Sequence, residues 1–366
     1  MATFTLFPVD EHNRLVSAAY QARGFDPQES DSAAYWCGKA SWYGIRTHNA
    51  IKALHLDAIL GSGAGGCQPG ATIEKLPTGM AASEKWDCHH KLGQPVAEAA
   101  MNRCMELADQ YGVGTVSVDN AFHYLWGGGY VMDAALKGYF AYTTCTAGLA
   151  EVVPFGGVYP TLGTNPHSWG IPTTDAVGFP VVIDWATSAI AMGKVQSLAR
   201  ENKPIPPNCA LDKDGQPTQD PNEVACLLPF GAHKGYGLGL MTELIGAMIG
   251  GNLPTLRGRF AQGGDQKRSM SFFFQCIHPD AMGAGTFASP QEQAQNLKAV
   301  IADILGHGND RAMLPGQIEH NGGRLSEKFG GLLFSANEMH ALVEEFKHAG
   351  IDYDPSSLKQ VEVAEG

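Results

Sequence analysis

A chain of 366 residues with 45 glycines and 17% charged side chains can bury a substantial core, and it reads as a compact, turn-rich enzyme of one large domain or several smaller ones. Its formal charge of −12 excludes nucleic acid and anionic membrane as partners, because a phosphate surface needs a basic one, but leaves room for an anionic metabolite held by a local cation. No apolar run reaches the roughly 18 residues of a membrane span, and Met1 to Asp10 lacks the basic and apolar regions of a secretion signal. The eight cysteines contain no C-x-x-C pair, so the expectation is a soluble, reduced, cytoplasmic protein whose thiols pack in its core.

The first third predicts helices. Asp10–Arg23 has helical spacing, and Asp26-Pro27 supplies an N-cap and a first-position proline for a second helix to about Tyr43. Thr47 can cap a third, with Ile51, Leu54, Ala58 and Ile59 on its apolar face. Pro95–Tyr111 predicts a fourth, turning Ala99, Met101, Cys104 and Leu107 inward. From Gly114 to Asp184 the pattern becomes short β-rich runs between glycine turns: Thr115–Val118, Tyr139–Thr144, Trp169–Ile171 and Val181–Asp184, with one helix near Val131–Lys137. Ala189–Arg200 and Tyr236–Ile249 read as helices and Lys203–Asn222 as a surface loop. Ser269–Ile277, with three consecutive phenylalanines, reads as an apolar strand, and Ser289–Leu305 and Ser335–Ala349 as closing helices. The predicted class is α/β, with a mixed, largely antiparallel sheet in 86–305. It is flanked by a helical region 1–85 that packs with 306–366.

Gly61-Ser62-Gly63-Ala64-Gly65-Gly66 satisfies the G-x-G-x-x-G pattern, yet its context is wrong. The dinucleotide fingerprint must follow a buried strand and open a helix. Here helical spacing precedes it, Cys67-Gln68-Pro69-Gly70 follows, and no acidic residue ends a second strand about twenty positions later. The segment is a helix-exit loop.

Five segments can carry chemistry. In Arg46-Thr47-His48-Asn49-Ala50-Ile51-Lys52, a helix start places His48 and Lys52 one turn apart on one face, a proton donor beside a cation suited to a carboxylate. Asn120-Ala121-Phe122-His123 puts a histidine at a strand end beside Trp126-Gly127-Gly128-Gly129. Leu162-Gly163-Thr164-Asn165-Pro166 and Val182-Ile183-Asp184-Trp185-Ala186-Thr187-Ser188 are apolar runs ending in small hydroxyl and amide side chains, able to meet phosphates and ribose hydroxyls. Pro229-Phe230-Gly231-Ala232-His233-Lys234-Gly235 is a turn into a long helix, offering a ring and a cation. Cys88-His89-His90 does not read as a zinc site, because adjacent histidines diverge and no second cluster completes a tetrahedral set.

Together these segments resemble the NAD(P)-dependent malate/L-lactate dehydrogenases that lack a Rossmann fold. That family includes ureidoglycolate dehydrogenases, diketogulonate reductases, sulfolactate dehydrogenases and reductases of cyclic imino acids such as piperideine-2-carboxylate. The resemblance covers nearly the whole chain. It implies NAD or NADP as cofactor, bound in 86–305, and hydride transfer at carbon 2 of a small carboxylic acid. A 2-oxo acid/2-hydroxy acid pair is the first substrate class and a cyclic imine the alternative. A metal-dependent hydrolase or lyase, or a non-catalytic dinucleotide sensor, fits less well. It also implies His48 as the catalytic histidine, oriented by Asp184, with His123 lining the site and Lys52, helped by Arg46 and Thr47, holding the carboxylate. The cofactor contacts it implies are Ile183, Asp184, Trp185, Ala186, Thr187, His233, Lys234 and, in a late turn, Gly316; Asn165 and His167 are either structural or near the cofactor. Family patterns have Ser-His-Gly and then Arg where this chain has Thr47-His48-Asn49 and Lys52, a departure that bears on the substrate. The family assembles as homodimers, which is the expected partner here.

Overall fold

The computed structural model describes residues 1–250, 269–283, 290–309 and 311–364. Seven strands form the main sheet: β2 (Glu74–Leu76), β3 (Ser83–Lys91), β4 (Val113–Ala121), β5 (Phe140–Cys145), β6 (His167–Ile171), β7 (Val181–Trp185) and β10 (Met270–Ile277). Their order is β2-β3-β4-β10-β5-β6-β7. All described neighbours in this sheet run antiparallel except β3 and β4. The parallel pair needs a crossover, and α4 (Gly93–Tyr111) supplies it. The expected α/β class with a largely antiparallel, non-Rossmann sheet is what the chain forms.

Alternation along β10 divides the two faces of this sheet. Phe272, Phe274 and Cys276 are fully buried with Val116, Val118, Met101, Cys104 and Leu107, against α4 and α5 (Gly127–Leu136). Phe273 turns the other way, its ring 6.3 Å from Tyr142, on the face that carries α8 (His233–Ile249). That helix is polar inward: Thr242 bonds Thr144 and His167, and Glu243 receives Asn165 Nδ2 and the Gly163 amide.

A second sheet joins the ends of the chain. β1 (Ala2–Phe7) lies between β11 (Leu332–Phe334) and β12 (Gln360–Val363), antiparallel to both. Around it lies a second core of Phe7, Leu15, Val16, Tyr20, Ala33, Cys37, Phe334, Leu342 and Phe346, drawn from β1 and β11 and from α1 (Val9–Ala22), α2 (Pro27–Trp42) and the helix Ala336–His348. Asp26 caps α2 as its sequence predicts, its Oδ1 accepting the Glu29 amide at 2.9 Å.

Several expectations need correction. The third helix, α3 (Ala50–Ile59), is capped by Asn49 and not Thr47, Asn49 Oδ1 accepting the Ile51 amide at 3.2 Å. Its buried face is Ala50, Ala53, Leu54 and Asp57, because the Asp57 carboxylate pairs with Arg23 beneath it, while Ile59 is exposed. Lys203–Asn222 is not all surface. Ala210–Leu211 (β8) pairs with Cys226–Leu227 (β9), and Ile205, Cys209 and Ala210 are buried in a small core of their own. The late helix runs Pro290–Leu305, and the expected start at Ser289 lies outside the described residues. All eight cysteines are buried and free of disulfides.

Candidate active site

His48 precedes Asn49, the N-cap of α3, and Lys52 lies in the first turn of that helix. Their side chains meet, with Lys52 Nζ 3.1 Å from His48 Nε2, while Thr47 Oγ1 lies 2.9 Å from His48 Nδ1. His123, on the loop after β4, brings its ring to 6.3 Å from the His48 ring, and its Nδ1 accepts the Leu125 amide at 2.8 Å. Burial, then the ammonium of Lys52, then His123, hold His48 well below the usual histidine value. Burial and Lys52 push His123 down to about 3. Burial also lowers Lys52, opposed by the negative charge of Glu151. The cluster is therefore two neutral imidazoles around one cation, a fit for a substrate that carries a carboxylate.

Sequence reasoning did not find Glu151. It lies far from Lys52 along the chain, and the strand-like bridging of Val152 with Leu162 and with Leu227 brings the segment into place. It also did not assign the Leu125 amide, which fixes the His123 tautomer.

Asp184, expected to pair with His48, is bonded to other groups. In the β6–β7 ladder it stands opposite Ser168, whose Oγ donates to Asp184 Oδ1 at 2.6 Å. The Trp126 indole and the Gly128 amide, at the start of α5, donate to the same carboxylate. It thus sits at a helix N-terminus, where negative charge is favoured. Protein surrounds the carboxylate although one side of the residue is open to solvent, and burial followed by nearby Glu319 pushes it up to about 6 against its three donors. Among the described residues no hydrogen bond or ion pair links it to His48. Arg46 is also committed elsewhere: it donates to the Leu333 carbonyl and to Glu338, and lies over the Phe4 ring. It fastens this loop to the terminal sheet.

The expected cofactor residues divide into framework and surface. Asn165 is fully buried, donating to Gly239 O and Glu243 and accepting the Ala147 amide. Both nitrogens of buried His167 are used, by Tyr142 OH on one side and by Leu238 O and Thr242 on the other. Thr187 is buried and tied to Thr164 O through both its amide and its hydroxyl. Gly316 is packed so closely on β7 that a Cβ there would come within 2.8 Å of the Val182 nitrogen. The side chains of Asn165, His167 and Thr187 are thus committed to the framework, which for Asn165 and His167 is the structural one of the two roles expected, and Gly316 packs on β7.

The open positions fit a dinucleotide. Trp185 is 41% exposed at the end of β7, edge-on to Phe230 at 5.8 Å, and offers a face to a flat ring. Ile183 and Ala186 flank it, half-buried. Exposed His233 and Lys234 form the first turn of α8, a 17-residue helix whose N-terminus carries no side-chain cap. Gly231 (φ 52°) and Ala232 (φ 58°) make the turn before it; for an alanine this conformation is strained, and such strain gathers where ligands bind. Uncapped N–H groups and a lysine suit a pyrophosphate. The Gly61 loop does not: it follows α3, contains a single 3₁₀ turn at Ser62–Ala64, and leads into buried Cys67. Among the described residues no group of three His, Cys, Asp or Glu could hold a metal ion. His89 and His90 instead adopt positive φ in a bulge of β3, with His89 paired to Glu74.

The chain is similar to known proteins in both sequence and fold. The family model described as malate/L-lactate dehydrogenase matches residues 7–342. The chain is 34% identical to a malate/(S)-sulfolactate dehydrogenase of Methanothermus fervidus over 247 residues, 66% of this chain and 69% of that one. It is 32% identical to a Delta(1)-pyrroline-2-carboxylate/Delta(1)-piperideine-2-carboxylate reductase of Pseudomonas syringae pv. tomato over 308 residues, 82% and 85% of the two chains. The solved delta1-piperideine-2-carboxylate reductase of that bacterium superposes with a TM-score of 0.78 at 27% identity, over 93% of this chain and 99% of that one. The sulfolactate dehydrogenase of Methanocaldococcus jannaschii does so with 0.78 at 25% identity, over 95% and 98%. The family match over residues 7–342 and the shared fold place this chain in the malate/L-lactate dehydrogenase family.

Proposed function

We propose that this protein is an NAD(P)H-dependent oxidoreductase acting at carbon 2 of a small carboxylic acid, interconverting a 2-oxo acid and its 2-hydroxy acid. The contact that carries this reading is Lys52 Nζ at 3.1 Å from His48 Nε2, facing His123. One cation meets the substrate carboxylate, and proton-active groups lie where a C2 oxygen would sit beside it. When bound, the nicotinamide supplies or takes the hydride. Trp185, His233 and Lys234 are the residues that would hold the cofactor. The chain's own side chains bind the carboxylate, orient carbon 2 and exchange one proton.

A second reading, reduction of a cyclic imino acid, is favoured by the low proton affinity of both imidazoles. A protonated imine brings its own proton and needs none from the protein. The relatives of known activity include both classes.

The test is oxidation of NADH and of NADPH against pyruvate, oxaloacetate, 2-oxoglutarate, sulfopyruvate, diketogulonate and the two cyclic imino acids. Turnover on a 2-oxo acid supports the first reading, and turnover on the imines alone supports the second. Absence of turnover together with absence of nucleotide binding rejects both.

A further inference from the structure

We infer that the cavity between α2, α4 and α5 is a second ligand site, built for an α-amino acid with an apolar or aromatic side chain. It shares no lining residue with the active site, and the inference does not depend on the oxidoreductase reading above.

The cavity encloses about 440 Å³ and opens to solvent, a size that suits a small molecule. Helical spacing builds one wall: Glu98, Met101, Asn102 and Met105 recur at i, i+3, i+4 and i+7 along α4. Trp36 of α2 and Tyr130 of α5 make an aromatic floor, their ring centroids 4.1 Å apart. Met101 and Met105 are buried beside it, and unbranched thioethers adapt to the outline of a ligand and to aromatic rings. Tyr35 and Leu136, each about half exposed, border the opening.

The polar groups of this cavity form two poles. On α4, Glu98 accepts Ser32 Oγ at 2.5 Å and the Trp36 indole at 3.1 Å, both on Oε2. These donors hold the carboxylate in place, and among the described residues no donor reaches its Oε1. The Asn102 amide, one turn further on, has no side-chain partner among them either. On α5, Asp133 adds little to this negative pole, because Lys39 pairs with it while lying over the Trp36 ring at 4.7 Å. Lys137, one turn after Asp133, is exposed and makes no side-chain hydrogen bond or ion pair among the described residues. It is the positive pole.

A held carboxylate, an amide and an ammonium around an aromatic floor match a zwitterion. The ammonium of the amino acid meets Glu98 Oε1, its carboxylate meets Lys137 and Asn102, and its side chain lies on Trp36 and the two methionines. A simple amine or a simple acid answers only one pole.

The test is calorimetric titration of the full chain with L-phenylalanine, phenethylamine and 3-phenylpropionate. It needs no turnover, so its outcome is separate from that of the oxidoreductase reading. Phenylalanine should bind and change the tryptophan fluorescence, and each of the other two should bind about tenfold more weakly or worse. Glu98→Gln keeps an acceptor for Ser32 and Trp36 but removes the charge, and should weaken phenylalanine about tenfold. Lys137→Ala, at an exposed position, should weaken it about two- to fivefold. Thermal melting without ligand confirms that each variant is folded. Should Glu98→Gln not fold, Asn102→Ala on the same wall replaces it, with a loss of about threefold expected. Saturating NADH should leave the affinity unchanged. No binding of phenylalanine, equal binding of the amine or the acid, unchanged affinity in the variants, or displacement by NADH each overturns the inference.

Discussion

Gly93→Val is expected to yield no folded protein, and Gly93→Ala to lose more than about 3 kcal/mol of stability. Gly93 begins α4, and a Cβ there would lie 1.8 Å from the Phe122 carbonyl oxygen and 2.5 Å from the His123 carbonyl carbon. The obstacles are backbone atoms, so no side-chain rotation relieves them. Either α4 lifts away from β4, opening the core that Val96, Ala97 and Ala100 fill, or the His123 segment moves out of the site. Stability and turnover should therefore fall together in the alanine variant. Gly193, in the first turn of α7 (Met192–Arg200), is the control: a Cβ there meets nothing within 4 Å, so Gly193→Ala should be neutral or stabilise by up to about 1 kcal/mol. Urea unfolding of both variants checks this, and an unchanged midpoint for Gly93→Ala would contradict the packing described.

Below pH 6.5 the protein should lose stability steeply, and His12 should be responsible for about 3 kcal/mol of the loss. This ring is wholly buried in the terminal core, stacked on Phe334 and edge-on to Phe7, and burial lowers it from 6.5 to about 4, against a hydrogen bond with Asn13. It is neutral in the fold and takes a proton in the unfolded chain below pH 6.5. Its contribution is complete above that pH and disappears as the pH falls toward about 4. His48 and His123 act in the same direction. Denaturant unfolding between neutral pH and about pH 4 should show the slope, and His12→Phe should flatten part of it. An equal slope in that variant would remove His12 from the explanation.

Elements with a strong period were legible because one chain segment carries the whole signal. The spacing of α4, the Asp26-Pro27 cap and the apolar run of β10 needed no partner to be read. β1, β11 and β12 are short and pair across more than 300 residues, so nothing local marks them. β3 alternates, with Trp86 and Cys88 inward, but its charged outer residues and the bulge at His89–His90 hid the period. In the site, the His48–Lys52 contact was expected from helical spacing, although His48 lies before the N-cap of α3 and not within the helix. The position of Asp184 did not, since a strand-end carboxylate looks the same whether it faces a histidine or the start of another helix. Asn165, His167 and Thr187 illustrate the same limit. Small polar groups that bind a cofactor and those that bind buried backbone share one composition, and only the packing of α8 separates them.

The central claim is that hydride passes to carbon 2 of the acid. Reduction of the turned-over substrate with NADH or NADPH deuterated at the nicotinamide C4, in ordinary water, tests it directly by NMR of the product. Deuterium at carbon 2 of the product is the predicted result. With both C4 hydrogens replaced by deuterium, so that transfer from either face carries the label, a product with no deuterium at carbon 2 would contradict it.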